Sequence, residues 1–420
     1  MEGSDCIIVA PTAGGKTEAV LFPSLTKIAK KKTNSVQILY LAPLKALLND
    51  IEIRAKKYSE ACGLHSFKWH GDVGQKKKIN ELKIPSQLLL TTPESLEAIL
   101  LRKSGWELYF KNLEVIIIDE AHNFASSDRG SHLISVIERL EWFAKIKPQR
   151  IAVSATIGNP EDMLSWLAGK KRDKGQIVEV IETKQKNYDY SVIFFNELKE
   201  KPGSPRTYSL NRLIELLYLS LFNKKSIVFA QSRTFTEKIA EMLNKRNYSL
   251  RTKIPLKVRT HHSSVSKYYR EEAEKRINMK KDLESGIDSI ISTSTLELGI
   301  DIGDLDSVFQ VGSLASSSSF LQRVGRTGRR KGSIQSFKGL CLSTEDILLL
   351  TAVVNLGVKK ISEFIKFPTK AFHIMAHQLI CLSLQNNGIS PQDAWKILKN
   401  IYCFSKITEK QFFSLIDYMI

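Results

Sequence analysis

Near the start of the 420-residue chain, Ala10-Pro-Thr-Ala-Gly-Gly-Lys-Thr17 follows an apolar run directly and leads into helical periodicity. A loop of small residues between strand and helix lets the backbone N–H groups of Thr12, Ala13, Gly14 and Gly15 wrap a phosphate, and the helix N-terminus adds a favourable dipole. Lys16 is then placed to reach the β- and γ-phosphates of a nucleotide, and the Thr17 hydroxyl to hold Mg²⁺. A second carboxylate-rich segment, Asp119-Glu-Ala-His122, follows the apolar run Val115 to Ile118. A carboxylate at the carboxyl end of a parallel strand lies beside such a loop, where Asp119 can bind Mg²⁺ through water and Glu120 can polarise the attacking water. Taken alone, the pair could equally be a helix N-cap, since acidic residues are favoured there. A third segment, Gln322-Arg-Val-Gly-Arg-Thr-Gly-Arg329, is rich in guanidinium groups. Arg326 and Arg329 suit stabilisation of charge on a transferring phosphoryl group from another domain, because arginine stays charged and presents a planar donor fork. A basic turn touching nucleic acid is the plainer alternative for that stretch. The three segments in this order support one another.

Such residues need a scaffold that brings strand ends together. Short apolar runs rich in β-branched residues alternate with longer amphipathic stretches: Cys6 to Val9, Ile38 to Leu41, Leu88 to Leu90, Val115 to Ile118 and Ile151 to Val153. Strands apolar throughout are covered on both faces, which means a mainly parallel sheet between helices. The pattern restarts with Ile227 to Phe229, Ile290-Ile291 and Val308-Phe309. We therefore expect two doubly wound α/β units in tandem. A boundary is expected near Lys184 to Pro205, where charge, Pro202-Gly203 and Pro205 interrupt the rhythm. Beyond about Glu345 only helical periodicity remains. Ser390-Pro391 reads as a helix start, Thr408 with Gln411 as a capping box, and Phe412, Leu415, Ile416 and Met419 as an apolar stripe. The resulting organisation is residues 1–185, 186–345 and 346–420.

Lys and Arg outnumber Asp and Glu by 62 to 44, a formal charge of +18, which favours a polyanionic partner. The hydrophobic share of 43% is enough for a core in each unit, so disorder is not the default. Five dispersed cysteines without a CxxC pair argue against structural zinc and suit a reducing compartment. No apolar run reaches the roughly 18 residues that a membrane-spanning helix needs. A soluble, cytoplasmic protein without a membrane partner is expected. His261-His262 has no further ligands at metal spacing.

The order of the motifs resembles superfamily 2 helicases with a DEAH box, and several segments are similar to the Lhr (large helicase-related) branch. They are Pro43-Leu-Lys-Ala-Leu47, Thr91-Thr-Pro-Glu-Ser95, Arg129-Gly-Ser-His-Leu133, Ser154-Ala-Thr-Ile-Gly-Asn-Pro160 and Leu296-Glu-Leu-Gly-Ile-Asp301. The resemblance implies two RecA-like domains that hydrolyse ATP with Mg²⁺ to move along a single strand and unwind or remodel DNA or RNA–DNA duplexes. It implies that Ser154 and Thr156, with His122, couple hydrolysis to the strand, and that Gly299 and Asp301 sit at the nucleotide from the second domain. Gln322, within the arginine motif, joins Lys16, Asp119, Glu120, Arg326 and Arg329 as catalytic. Pro43, Lys45, Thr92, Pro93 and Arg129 would line the strand in the first domain, with Ser232, Arg233, Thr293 and Ser294 as counterparts in the second. Such contacts to phosphates bind without reading sequence. The His261-His262 pair would belong to the domain interface.

Two departures accompany the resemblance. The usual N-terminal segment with a Gln that reads adenine is missing before the first strand, and residues 367–420 resemble a winged-helix domain that stops before any β-wing. A fragment, or a chain completed by a partner subunit, is the expectation. The alternative to an unwinding motor is an ATP-gated nucleic-acid-binding subunit that hydrolyses ATP without unwinding.

Overall fold

Burial on both faces is what the apolar runs adopt. The structure is a computed structural model describing residues 3–11, 14–102, 105–169, 175–180, 187–195, 205–250, 255–279, 286–297, 302–328 and 333–420, with backbone only at 205–208 and 248–250. The chain forms two compact units, Met1–Ile181 with Phe364–Ile420, and Glu182–Glu363.

The first unit carries strands β1 (Cys6–Val9), β2 (Ile38–Leu41), β3 (Ser66–Trp69), β4 (Leu88–Thr91), β5 (Val115–Ile118), β6 (Gln149–Ser154) and β7 (Gln176–Glu179). They lie in the order β3-β4-β2-β5-β6-β1-β7, and every pairing is parallel. Side chains alternate across a strand, so each run feeds two cores. Ile38 and Tyr40 join Leu88, Leu90, Val115 and Ile117 on one face, while Leu39 and Leu41 join Leu89, Ile116 and Ile118 on the other. Full burial of one such aliphatic side chain contributes about 1.5–3 kcal/mol. The order β5-β6-β1 sets the carboxyl ends of three strands side by side, which brings the segments beginning at Asp119, Ser154 and Ala10 to one edge.

The second unit has β8 (Tyr188–Phe194), β9 (Ser226–Phe229), β10 (Val258–His261), β11 (Ser289–Ser292), β12 (Ser307–Val311) and β13 (Gln335–Cys341). Their order is β10-β11-β9-β12-β13-β8, again with parallel pairings throughout. Two α/β units with parallel sheets are thus present as the sequence pattern implies. The stretch expected as an interruption, Lys184 to Pro205, contains β8, which pairs with β13 over seven residues from Tyr188 to Phe194. As an edge strand it is covered on one side only. Its mixed sequence YDYSVIF therefore escapes a search for continuous apolar runs.

The helical tail is divided between the units. Helix Thr344–Val358 lies within the second, whereas helices Phe372–Asn386, Pro391–Leu398 and Glu409–Met419 belong to the first. Ser390 and Thr408 are N-caps as their types dictate, the latter in a full capping box. Met375, Leu382, Phe404 and Phe412 enter the same core as Ile134 and Ile137 of helix Asp128–Ala144. The stripe expected over Phe412, Leu415, Ile416 and Met419 is buried at Phe412 and exposed at Met419. A polar core spans this packing. Arg139, fully buried, donates to Glu97 Oε1 at 2.7 Å, Gln378 Oε1 at 2.9 Å and Gln385 Oε1 at 2.6 Å. Gln378 Nε2 in turn donates to Glu97 Oε2 at 3.1 Å. No described helix is long and apolar enough to cross a membrane.

Candidate functional site

The phosphate loop leaves β1 and enters helix Lys16–Ala29 through Gly15, whose φ of 70° is a left-handed conformation that glycine adopts without penalty. Gly14 N–H donates to Pro11 O at 3.2 Å, and a Cβ on Gly14 would meet that oxygen at 3.0 Å, so the turn is built for a residue without a side chain. Thr12 and Ala13 lie outside the described residues. The Lys16 ammonium is buried with no hydrogen-bond partner among the described residues. A buried cation without an acceptor costs free energy that a phosphate would recover.

Asp119 follows β5 and is buried at 5% exposure. Its backbone N–H donates to Leu41 O at 2.8 Å. Its carboxylate accepts from the Tyr40 phenol at 2.6 Å on Oδ2 and from the Glu120 N–H at 2.9 Å on Oδ1. Burial first, and the Glu120 charge second, push its pKa up to about 6. Lys16 acts in the opposite direction on the same carboxyl. Burial, then the Asp119 charge, raise the Tyr40 pKa and keep that phenol a donor. Glu120 itself has a left-handed backbone, φ 47°, which costs a non-glycine residue about 1–2 kcal/mol. Its Oε2 is buried without a hydrogen-bond partner among the described residues, and His122 Nε2 stands 3.6 Å away. Two buried charged groups without hydrogen-bond partners among the described residues therefore act on a carboxylate that has accepting capacity left. This donor set fits a phosphate, a hard cation with oxygen ligands at Thr17 and Asp119, and a water.

His122 extends the site to β6. Its Nδ1 lies 3.2 Å from Ser154 Oγ and accepts from the Ala155 N–H at 3.2 Å. Two of the three expected coupling residues are in contact, and Thr156 follows on the same loop, half-buried.

The residues expected to line a strand in the first unit cluster around one arginine. Arg129 Nη1 donates to Pro43 O at 2.8 Å and Nε to Glu94 Oε1 at 2.6 Å, with the guanidinium over the Phe124 ring. Gly130 permits this approach, since a Cβ there would stand 2.1 Å from Phe124 O. Thr92 caps helix Pro93–Leu100, accepting from the Ser95 N–H. Lys45 is exposed, with its Nζ 2.8 Å from Asp72 Oδ1. Arg129 thus clamps the Pro43 loop to the first turn of helix Pro93–Leu100 as well as being a cation, and Lys45 must exchange Asp72 for any phosphate.

In the second unit, Ser232 Oγ accepts the Phe235 N–H at the start of helix Arg233–Leu250. Exposed Arg233 donates to Ser264 Oγ at 3.0 Å. Thr293 and Ser294 follow β11, half-buried and exposed respectively. Gln322 and Arg326 are buried, and Arg326 Nη2 donates to the Glu297 carbonyl at 2.8 Å. His261 Nε2 is 2.8 Å from Glu274 Oε1 and His262 Nε2 is 2.7 Å from Glu237 Oε1, all within this unit. Gly299, Asp301 and Arg329 lie outside the described residues.

Sequence reasoning passed over Tyr40 and Arg323. Arg323 donates to Glu297 Oε2 at 2.7 Å and to Gln310 Oε1, and it sits over the Phe229 ring. It braces the loop from which Arg326 projects. A phenol inside the aliphatic run Ile-Leu-Tyr-Leu was the available signal for Tyr40.

Comparison with known proteins gives a consistent picture. Residues 1–163 match the DEAD/DEAH box helicase family and residues 208–331 the helicase conserved C-terminal domain. The ATP-dependent helicase Lhr-Core of Methanocaldococcus jannaschii is 30% identical, over all of this chain and 49% of its own length. The solved structure of Mycobacterium smegmatis helicase Lhr bound to ssDNA and AMP-PNP superposes with a TM-score of 0.81 at 28% identity, covering 99% of this chain and 54% of that one. The DUF1998 helicase MrfA bound to DNA and AMPPNP gives 0.74 at 27% identity, covering 91% of this chain and 52% of that one. The chain spans about half the length of the curated relatives it matches.

Proposed function

The chain belongs to the superfamily 2 DEAD/DEAH box helicases of Lhr type over its two-unit core, and from that premise we propose that it is an ATP-driven motor on single-stranded nucleic acid. The observation that carries this is the pair of buried charged groups without hydrogen-bond partners among the described residues, the Lys16 ammonium and Glu120 Oε2, both acting on Asp119. Each lacks a partner that a nucleotide and its attacking water would supply. Lys16 would neutralise charge on the β- and γ-phosphates. Thr17 and Asp119 would hold Mg²⁺, which would supply positive charge against that developing on the phosphates. Glu120 would orient and polarise the water, its strained backbone fixing where the carboxylate points. Movement of that carboxylate reaches His122, then Ser154 and the loop carrying Thr156. Pro43, Lys45, Thr92, Pro93 and Arg129, with Ser232, Arg233, Thr293 and Ser294, are the proposed strand contacts. Gln322, Arg326, Arg329, Gly299 and Asp301 are the proposed contribution of the second unit to turnover. Relatives solved with ssDNA or DNA favour DNA as the substrate.

The test is ATPase activity with ssDNA, dsDNA or RNA as stimulator, beside strand displacement with and without ATP. Stimulated hydrolysis with displacement is expected. Hydrolysis without displacement would leave a nucleic-acid clamp gated by ATP. A protein with no ATPase under any condition would sink the motor proposal.

A further inference from the structure

We propose that Tyr40 is a positioning residue for the metal–nucleotide site, its phenol fixing the Asp119 carboxylate in the arrangement that receives the cation. This deepens the ATP-site proposal and rests on it. Tyr40 is fully buried in β2, the strand that pairs with β5 in the register Tyr40 to Ile117 and Leu41 to Ile118. That register carries its ring to the end of β5, where the phenol donates to Asp119 Oδ2 at 2.6 Å. A side chain 79 positions away in sequence therefore holds a carboxylate proposed to bind the metal.

The chemistry explains why a phenol stands in an aliphatic strand. A lone carboxylate can rotate about its last bond, and a cation site needs it held. Here Oδ1 is fixed by the Glu120 N–H and Oδ2 by Tyr40. Each oxygen keeps further accepting capacity for water on the metal. The neighbours on this face, Ile38, Leu88, Leu90 and Ile117, offer no other donor. Phenylalanine would fill the same space and leave Asp119 Oδ2 without this bond.

The experiment uses the full chain as wild type, Tyr40→Phe and Tyr109→Phe. Tyr109 is a control for a lost buried phenol–carboxylate bond elsewhere, since its hydroxyl donates to Glu81 at 3.0 Å. Bound Mn²⁺ is followed by EPR during titration in the presence of ADP, and ADP affinity is measured separately in EDTA. Loss of one hydrogen bond to a carboxylate should raise the Mn²⁺ half-saturation of Tyr40→Phe roughly 10-fold. ADP affinity without metal should stay within about two-fold of wild type, because the phenol does not meet the phosphates. Tyr109→Phe should behave as wild type in both measurements, whatever its melting temperature. A Tyr40→Phe protein with wild-type Mn²⁺ half-saturation overturns this inference alone. A wild type that binds no nucleotide, with or without metal, overturns the ATP site and this inference together.

Discussion

Asp119 and Glu120 occupy adjacent positions yet face different demands, and their environments separate them. Asp119 is buried and its pKa stands at about 6 against an ordinary 3.8. Between those values the native protein binds a proton that the unfolded chain has released. Metal-free stability therefore falls as pH rises from about 4 to about 6, and is level above. Denaturant titrations in EDTA across this range should show that slope, and Asp119→Asn should remove it. The same slope in both proteins would refute the assignment. Glu120 is proposed to act on the attacking water, so Glu120→Gln should keep nucleotide affinity while hydrolysis drops by roughly 100-fold or more. Lys16→Ala should lose most ATPase activity without loss of fold, because its ammonium packs against no acceptor among the described residues. An ATPase rate for Glu120→Gln equal to wild type would mean that another group activates the water. Lys16, Asp119 and Glu120 could be nominated from the sequence because the proposed chemistry restricts the residue types there. The clamp role of Arg129 could not, because its partners, Pro43 O and Glu94, are 86 and 35 positions away.

At the scale of elements, helix Asp128–Ala144 joins the motif loops to the C-terminal helices through Arg139. Burial alone would raise the Glu97 pKa, but hydrogen bonds from His132, Gln378 and Arg139 and the charge of Arg139 hold it at about 2. A depressed carboxyl contributes stability that is complete above its unfolded value, ordinarily 4.5, and is lost as pH falls through about 2. Arg139→Met strands that carboxylate in the core and should cost about 3–5 kcal/mol. Adding Glu97→Gln should recover much of the loss and flatten the acid limb of the stability curve. Calorimetry of the three proteins between pH 2 and 7 measures both effects. Independent, additive penalties from the two substitutions would show that the pair is not coupled. The strands apolar on both faces were readable because their burial leaves no polar position. Edge strands β3, β7 and β8 were not, since half of each is open and its sequence is free to mix. The packing of residues 364–420 on the first unit was likewise hidden. Helical periodicity reports that a face is buried, and says nothing of what buries it.

For the whole molecule, the proposed motor requires residues that belong to different units. Lys16, Asp119 and Glu120 are in the first and Arg326 in the second. Arg326 is buried and donates to the Glu297 carbonyl. An arginine acting on the transition state is worth roughly 10³ to 10⁵ in rate. Arg326→Ala should therefore lower kcat by about 10³-fold or more while shifting the Michaelis constant for ATP only a few-fold, as expected for an interaction made only at the barrier. Nucleic acid should raise turnover in the wild type, because strand contacts are proposed on both units, and should fail to do so in the mutant. Strand affinity itself should fall steeply with salt in both proteins and depend little on base sequence, given a formal charge of +18. Steady-state ATPase of wild type and Arg326→Ala, each with and without single strand, separates these effects. Equal stimulation in both proteins, with the mutant altered only in its Michaelis constant, would confine Arg326 to nucleotide binding and remove the second unit from the chemical step.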